Sequence, residues 1–326
     1  MRIVVIGATG HIGSYLVPRL VTAGHDVVAV SRGTREPSHP HPAWDRVQRV
    51  ALDREAEELT GRFGEHVAAL GADVVVDLVC FTPASAEHLV EALRGRTGHL
   101  LHCGTIWVHG AAAASPLREE DPREPFGEYG TQKDEIERIL LAETRRGGLA
   151  STVLHPGHIS GPGWPVITPV GNLDPDVWRA LATGEELLVP GSGLETLHHV
   201  HADDVAQAFA LAVQHRSAAV GESFHVVSDR ALTVRGLARG AAAWFGQEAV
   251  LRPVSWEEFR AARPEHADAS WEHLSRSHSA SPDKARRLLG HVPRYTSLRA
   301  VGEAVRALAA AGEVDLAGRA VPLDAA

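Results

Sequence analysis

Arg2-Ile3-Val4-Val5-Ile6-Gly7-Ala8-Thr9-Gly10-His11-Ile12-Gly13 opens the chain and decides how the rest is read. Ile3–Ile6 is β-branched throughout, which suits a strand. Gly7, Gly10 and Gly13 follow, and Ile12–Ala23 then has the texture of an amphipathic helix. Glycines at this spacing permit a tight turn and let backbone N–H groups approach an anion at a helix N-terminus. The loop, with Thr9, His11 and Ile12 between its glycines, is a candidate pyrophosphate site. A glycine-rich βα turn without a ligand is the plainer alternative, and the strand–turn–helix order favours the ligand.

Working outward, short apolar runs recur at Asp26–Val30, Val47–Leu52, Asp73–Val79, His99–Cys103 and Ser151–Leu154. Helical stretches lie between them, at Arg54–Leu70, Ser85–Leu93 and Tyr129–Arg145. The runs are continuous rather than alternating, so both faces are covered. That pattern predicts an α/β fold, a Rossmann doubly wound parallel sheet. Beyond Leu154 the texture changes to loops rich in Pro and Gly. Val177–Thr183, Asp204–His215, Leu232–Phe245, Lys284–Leu289 and Ser297–Ala310 read as helices and Ser223–Val227 as a late strand. Trp256–Ser279 has no clean period, and the tail from Ala311 reads as a fraying end. The expected division is a dinucleotide-binding domain, residues 1–160 plus 197–227, and a smaller C-terminal substrate-binding lobe, residues 161–196 plus 228–326.

Composition narrows the function. The 326 residues are 44% hydrophobic, with 32 Lys plus Arg against 41 Asp plus Glu, a net charge of −9. That balance argues against nucleic acid as a partner. Cys80 and Cys103 stand in apolar runs and read as buried free thiols, with no disulfide framework. No apolar run reaches the ~18 residues of a membrane span, and the first is too short for a signal peptide. A soluble, cytoplasmic protein without a membrane partner is expected.

The end of the second strand selects the cofactor. An acid there would bond a ribose 2′-hydroxyl, but the chain reads Val30-Ser31-Arg32-Gly33, with Arg35 close by. A cation suits a 2′-phosphate, so NADP is favoured over NAD; otherwise Arg32 is a solvated loop residue. Asp53, after the third strand, can accept from an adenine amino group or cap the next helix, or do both.

Tyr129-Gly130-Thr131-Gln132-Lys133 sets a phenol and an ammonium four apart on one helical face. A nearby cation favours the phenolate, which would make Tyr129 usable as an acid–base. Thr105 follows the His99–Cys103 strand, at the sheet end where open α/β folds place ligands.

The Gly7/Gly10/Gly13 loop, Thr105 with Val108-His109-Gly110, Tyr129/Lys133, Gly161-Pro162 and His201-Ala202-Asp203-Asp204 together resemble the extended short-chain dehydrogenase/reductase family, in its NAD-dependent epimerase/dehydratase branch. The resemblance covers about residues 1 to 230. It implies Tyr129 as acid–base, Thr105 as its hydroxyl partner and Lys133 as a ligand of the nicotinamide ribose that also tunes Tyr129. It also implies a homodimer through the helices Ser85–Leu93 and Tyr129–Arg145. His201 and Asp204 become packing residues, so the cluster His198-His199-Val200-His201 with Asp203 and Asp204 holds no metal.

The departures from the family pattern bear on the substrate. Ile106-Trp107 replaces the acid pair of sugar dehydratases. Leu197 stands where nucleotide-sugar relatives carry a diphosphate-binding Arg. His158 replaces a substrate-contacting Asn, and His109 replaces a Tyr. Thr105, Trp107, His109, His158 and Trp164 are the candidate substrate contacts. The expected function is hydride transfer at a secondary alcohol or ketone carbon of a sugar-like or polyhydroxylated small molecule. The alternatives are a nucleotide-sugar 4-epimerase and a non-catalytic dinucleotide-binding regulatory or RNA-associated protein.

Overall fold

The computed structural model describes residues 1–322; residues 323–326, the end of the expected lobe, lie outside the described residues. The first run of β-branched residues becomes β1 (Arg2–Ile6). It is followed by β2 (Asp26–Ser31), β3 (Gln48–Ala51), β4 (Val74–Asp77), β5 (His99–Cys103) and β6 (Ser151–Pro156). With the strand Ser223–Val226 they form one seven-stranded sheet in the order Ser223–Val226, β6, β5, β4, β1, β2, β3. Every pairing is parallel. Strand order reverses between β1 and β4, which opens a crevice at their C-terminal ends.

The helices are α1 (His11–Thr22), α2 (Arg54–Leu59), α3 (Phe63–Ala68), α4 (Pro83–Leu93), α5 (Gly127–Arg145), α6 (Asp176–Thr183) and α7 (Ala202–Gln214), with further helices beyond. Ile3 and Val5 pack into a core shared with α1 and α7. Val4 and Ile6 point the other way, into a core shared with α3, α4 and α5. Alternate residues of one strand thus serve opposite cores, and this is why the run is continuously apolar.

A separate cluster joins Val177, Trp178 and Leu181 of α6 to Leu197, Leu237, Ala241, Val301 and Val305. It also takes in Val314, Leu316 and Val321, which corrects the fraying tail: these apolar side chains are buried. The stretch Arg54–Leu70 is two short helices, broken where Gly61 adopts φ +66°. Trp256–Ser279 forms the helices Trp256–Ala262 and Pro264–Leu274, with Trp256 set edge-on to Trp271. Both cysteines are free and buried. The apolar face of α4 packs on the sheet and α5, leaving Glu87 and Glu91 of α4 and Glu135 and Arg138 of α5 outward. Among the described residues, no helix is long and apolar enough to cross a membrane.

Candidate active site

Gly7 leaves β1 with φ +82°, and its N–H donates to the Val30 carbonyl at 2.9 Å. A Cβ on Gly13 would lie 2.4 Å from the Ala8 carbonyl oxygen, so the loop closes on α1 only with glycine there. Gly10 caps α1 without a side-chain hydrogen bond, and no acid stands in the first turn. The orphan N–H groups therefore face outward with the positive end of the helix dipole, ready for an anion. They open onto a groove of about 750 Å³ that runs past Gly10, Arg32, Asp53 and Phe81. An uncapped helix end, a loop that only glycine can form and a groove over the strand switch point fit a dinucleotide.

Arg32 and Arg35 both line this groove. Asp53 lines it too, and its carboxylate caps α2 by accepting from the Ala56 N–H at 3.2 Å. Beside it, Arg54 forks onto both oxygens of buried Asp77 at 2.9 and 2.8 Å and lies 5.0 Å from the Phe63 ring. Asp77, Cys80 and His102 cluster closely enough for a metal, but the guanidinium already holds the carboxylate, and burial pushes the Cys80 thiol up to about 12. Trp164 stacks on His11 at 5.7 Å, with Arg35 5.7 Å from its ring, and lines the same groove as Gly10 and Arg32.

Thr105 is the N-cap of a short 3-10 turn, Ile106–His109, and its hydroxyl accepts from the Trp107 N–H at 3.3 Å. Tyr129 lies in the first turn of α5, its ring edge-on to Trp107 at 5.6 Å. The residue is 40% exposed; desolvation of the phenolate pushes its pKa up from 10, and the neighbouring Thr105 opposes that rise. Lys133 is buried, and its Nζ donates to the Cys80 and Cys103 carbonyls at 2.7 and 2.6 Å. Burial lowers the pKa of that ammonium. Lys133 is thus tied to the backbone just beyond β4 and at the end of β5 rather than to the phenol oxygen. Thr105, Tyr129 and Lys133 nonetheless come together at the C-terminal end of β5.

The imidazoles separate into two groups. His158 sits 6.5 Å from Trp107, between His199 at 5.4 Å and His273 at 5.2 Å. Both its ring nitrogens are buried without a partner, and burial keeps the ring neutral well below 6.5. His109 does not join it but pairs with His225 instead. It is 2% exposed, its Nε2 lies 2.8 Å from His225 Nε2, and burial lowers its pKa to about 3. The 3-10 turn carries it inward, away from Trp107.

Two residues of this wall are not evident from the sequence, His273 and Arg276. His273 stands edge-on to Trp107 at 4.9 Å. Arg276 is fully buried between Trp107 and Phe126, at 3.8 and 3.9 Å from their rings, and also bonds Glu272 and the Phe126 carbonyl. Their only sequence signal is the aperiodic run of Trp, Glu and His at 256–279. Leu197 is buried in the second apolar cluster. Among other cations, Arg252 is paired with Glu186 and Glu258, and Arg286 with Asp229 and Asp283.

The His198–Asp204 cluster is occupied by structural bonds. His198 bonds the Ser228 carbonyl, His199 bonds Ser160, and His201 caps α7. Asp204 accepts from the Arg294 and Tyr295 N–H groups at 2.9 and 3.1 Å.

Sequence comparison identifies the family. The profile of the NAD dependent epimerase/dehydratase family matches residues 3–226, and the chain belongs to that family of enzymes. It is 28% identical to a 2'-dehydrokanamycin reductase of Streptomyces kanamyceticus, over 64% of this chain and 57% of that reductase. The chain thus spans little more than half the length of that relative. It is also 28% identical to a dTDP-6-deoxy-L-talose 4-dehydrogenase (NAD(P)(+)) of Kitasatospora kifunensis, over 67% of this chain and 71% of that enzyme. The fold superposes on a UDP-glucose 4-epimerase of Thermotoga maritima solved with UDP-glucose, with TM-score 0.73, 22% identity, and coverage of 96% and 100% of the two chains.

Proposed function

We propose that the protein moves a hydride between a nicotinamide cofactor and a secondary alcohol or ketone carbon of a sugar-like or polyhydroxylated molecule that carries no nucleotide diphosphate. The observation that carries this reading is the meeting of Thr105, Tyr129 and Lys133 at the end of β5, beside the groove that starts at Gly7–Gly13. A bound nicotinamide supplies the hydride acceptor or donor.

The chain's own residues do the rest. The α1 N-terminus and its glycines hold the pyrophosphate, and Arg32 meets a 2′-phosphate, which favours NADP. Lys133 would hold the nicotinamide ribose. Tyr129 passes its phenolic proton to the carbonyl oxygen during reduction and takes it back during oxidation, while Thr105 holds that oxygen. His158, neutral and unpartnered, offers one donor and one acceptor to neighbouring hydroxyls. Buried Leu197 and the paired state of Arg252, Arg276 and Arg286 support a substrate without a diphosphate.

The test is nicotinamide absorbance against a panel of polyols, free sugars and small ketones, beside thermal shift with UDP- and dTDP-sugars. Turnover on the panel is expected. Stabilisation by nucleotide sugars alone would replace this reading with a nucleotide-sugar 4-epimerase. Conversion with only substoichiometric cofactor would identify an epimerase rather than a dehydrogenase.

A further inference from the structure

Behind Thr105, the backbone of the sheet edge is tied to α5 through buried side chains. β6 brings His155 beside the end of β5, where Gly104 leaves it room: a Cβ there would lie 2.4 Å from His155 Nδ1. The Thr105 N–H donates to that same Nδ1 at 2.9 Å. A nitrogen that accepts carries a lone pair, so Nε2 is the nitrogen that carries the ring's proton. Nε2 faces Glu137 Oε2 at 3.0 Å. Glu137 lies on α5, just over two turns beyond Tyr129. Its other oxygen accepts from Arg123 Nη2 at 3.1 Å and from the Ser223 hydroxyl. His155 and Glu137 are almost wholly buried. Burial alone would raise the Glu137 pKa, but His155 and Arg123 hold it well below the usual carboxylate range.

A buried charged chain of this kind is seldom the most stable way to fill a core. Its ends show what it joins: one is the backbone of Thr105, the other the helix that carries Tyr129. We propose that His155, backed by Glu137 and Arg123, is a positioning residue that fixes the Thr105 hydroxyl against the Tyr129 phenol. The proposal rests on the reading of Thr105 and Tyr129 given above. His155 touches neither cofactor nor substrate. It holds Thr105 extended, at φ −162° and ψ 150°, at the start of the turn that also carries Trp107.

The test needs no substrate. The chain has three tyrosines, Tyr15, Tyr129 and Tyr295, so ¹³Cζ-tyrosine labelling gives three resonances, which Tyr129→Phe assigns. His155→Leu removes the acceptor for the Thr105 N–H. His155→Asn keeps an acceptor where Nδ1 stood. His155→Leu is expected to move the Tyr129 resonance and leave Tyr15 and Tyr295 in place, while His155→Asn restores the Tyr129 position. Glu137→Gln is expected to move the same resonance in the same direction, by less, and serves if His155→Leu does not fold. An unmoved Tyr129 resonance in these variants overturns the proposal, as does an equal shift in His155→Asn and His155→Leu, or a common shift of all three tyrosines.

On any substrate the panel identifies, kcat should fall about 10–100-fold in His155→Leu, with NADP affinity kept within about twofold. Without turnover in the parent protein the proposed function fails, while the resonance test still decides the role of His155.

Discussion

Lys133 Nζ lies 5.8 Å from the centre of the Tyr129 ring, and its hydrogen bonds go to the Cys80 and Cys103 carbonyls, not to the phenol oxygen. Spacing of four places the two side chains on one helical face, but the strand ends decide what the ammonium binds. The phenol is left to burial, which keeps it protonated across neutral pH.

Tyr129 should thus carry its proton before cofactor arrives. Tyr129→Phe is expected to lower turnover by about 10²–10⁴-fold while NADP binding stays close to the parent value. Steady-state rates and calorimetric titration check both halves. Full activity in the variant would remove Tyr129 from the mechanism. In the reduction direction, the rate should show no loss attributable to Tyr129 ionisation between about pH 6 and 9.

Cofactor choice is expected to turn on Arg32. Arg32→Asp should cost about 1–3 kcal/mol of NADP affinity and bring NAD to parity or better. Dissociation constants for both cofactors, measured on both proteins, decide it. A parent protein that already prefers NAD would show that Arg32 points elsewhere.

Gly13→Ala drives a methyl into the Ala8 and Gly7 carbonyls, at 2.4 and 2.6 Å. The loop must shift, at a cost of about 1–3 kcal/mol typical of overpacking. Both thermal stability and cofactor affinity should fall. Unchanged cofactor affinity would place the pyrophosphate away from this loop.

The buried histidines should make the fold acid-sensitive. Burial lowers His109 and His199 to about 3, and His198, His278 and His291 to about 4, from 6.5. Below pH about 6.5 the unfolded chain binds protons that these folded rings refuse. Their contribution to stability is complete above that pH and is lost as pH falls toward the folded values. Each such proton changes the slope by about 1.4 kcal/mol per pH unit. The midpoint of thermal unfolding should therefore drop steeply between pH 6.5 and 4.5. A flat profile there would mean that the rings titrate normally in the folded protein.

Much of this architecture is legible residue by residue. β1, β5 and the helix Ser297–Ala310 fall at the bounds their patterns predict, because apolar periodicity and Gly or Thr at the ends are local signals. Breaks and partnerships are harder. Gly61 divides one expected helix into two, and Val314 and Leu316 look like an idle tail until the second apolar cluster is assembled around them.

The site divides along the same line. The chain itself determined the glycine turn, the missing acid after β2, and the Thr105, Tyr129 and Lys133 set, since each depends on residue types at short spacing. Only the tertiary structure decided which histidine lies beside Trp107. His109 turns inward because His225, more than a hundred residues away, receives it, and His158 stays beside Trp107 because His273 and Arg276 arrive from a segment without a readable period. It also decided that Trp164 stacks on His11 at the rim of the groove. Side-chain direction at such positions is set by contacts distant in sequence, and no local pattern of polarity encodes them.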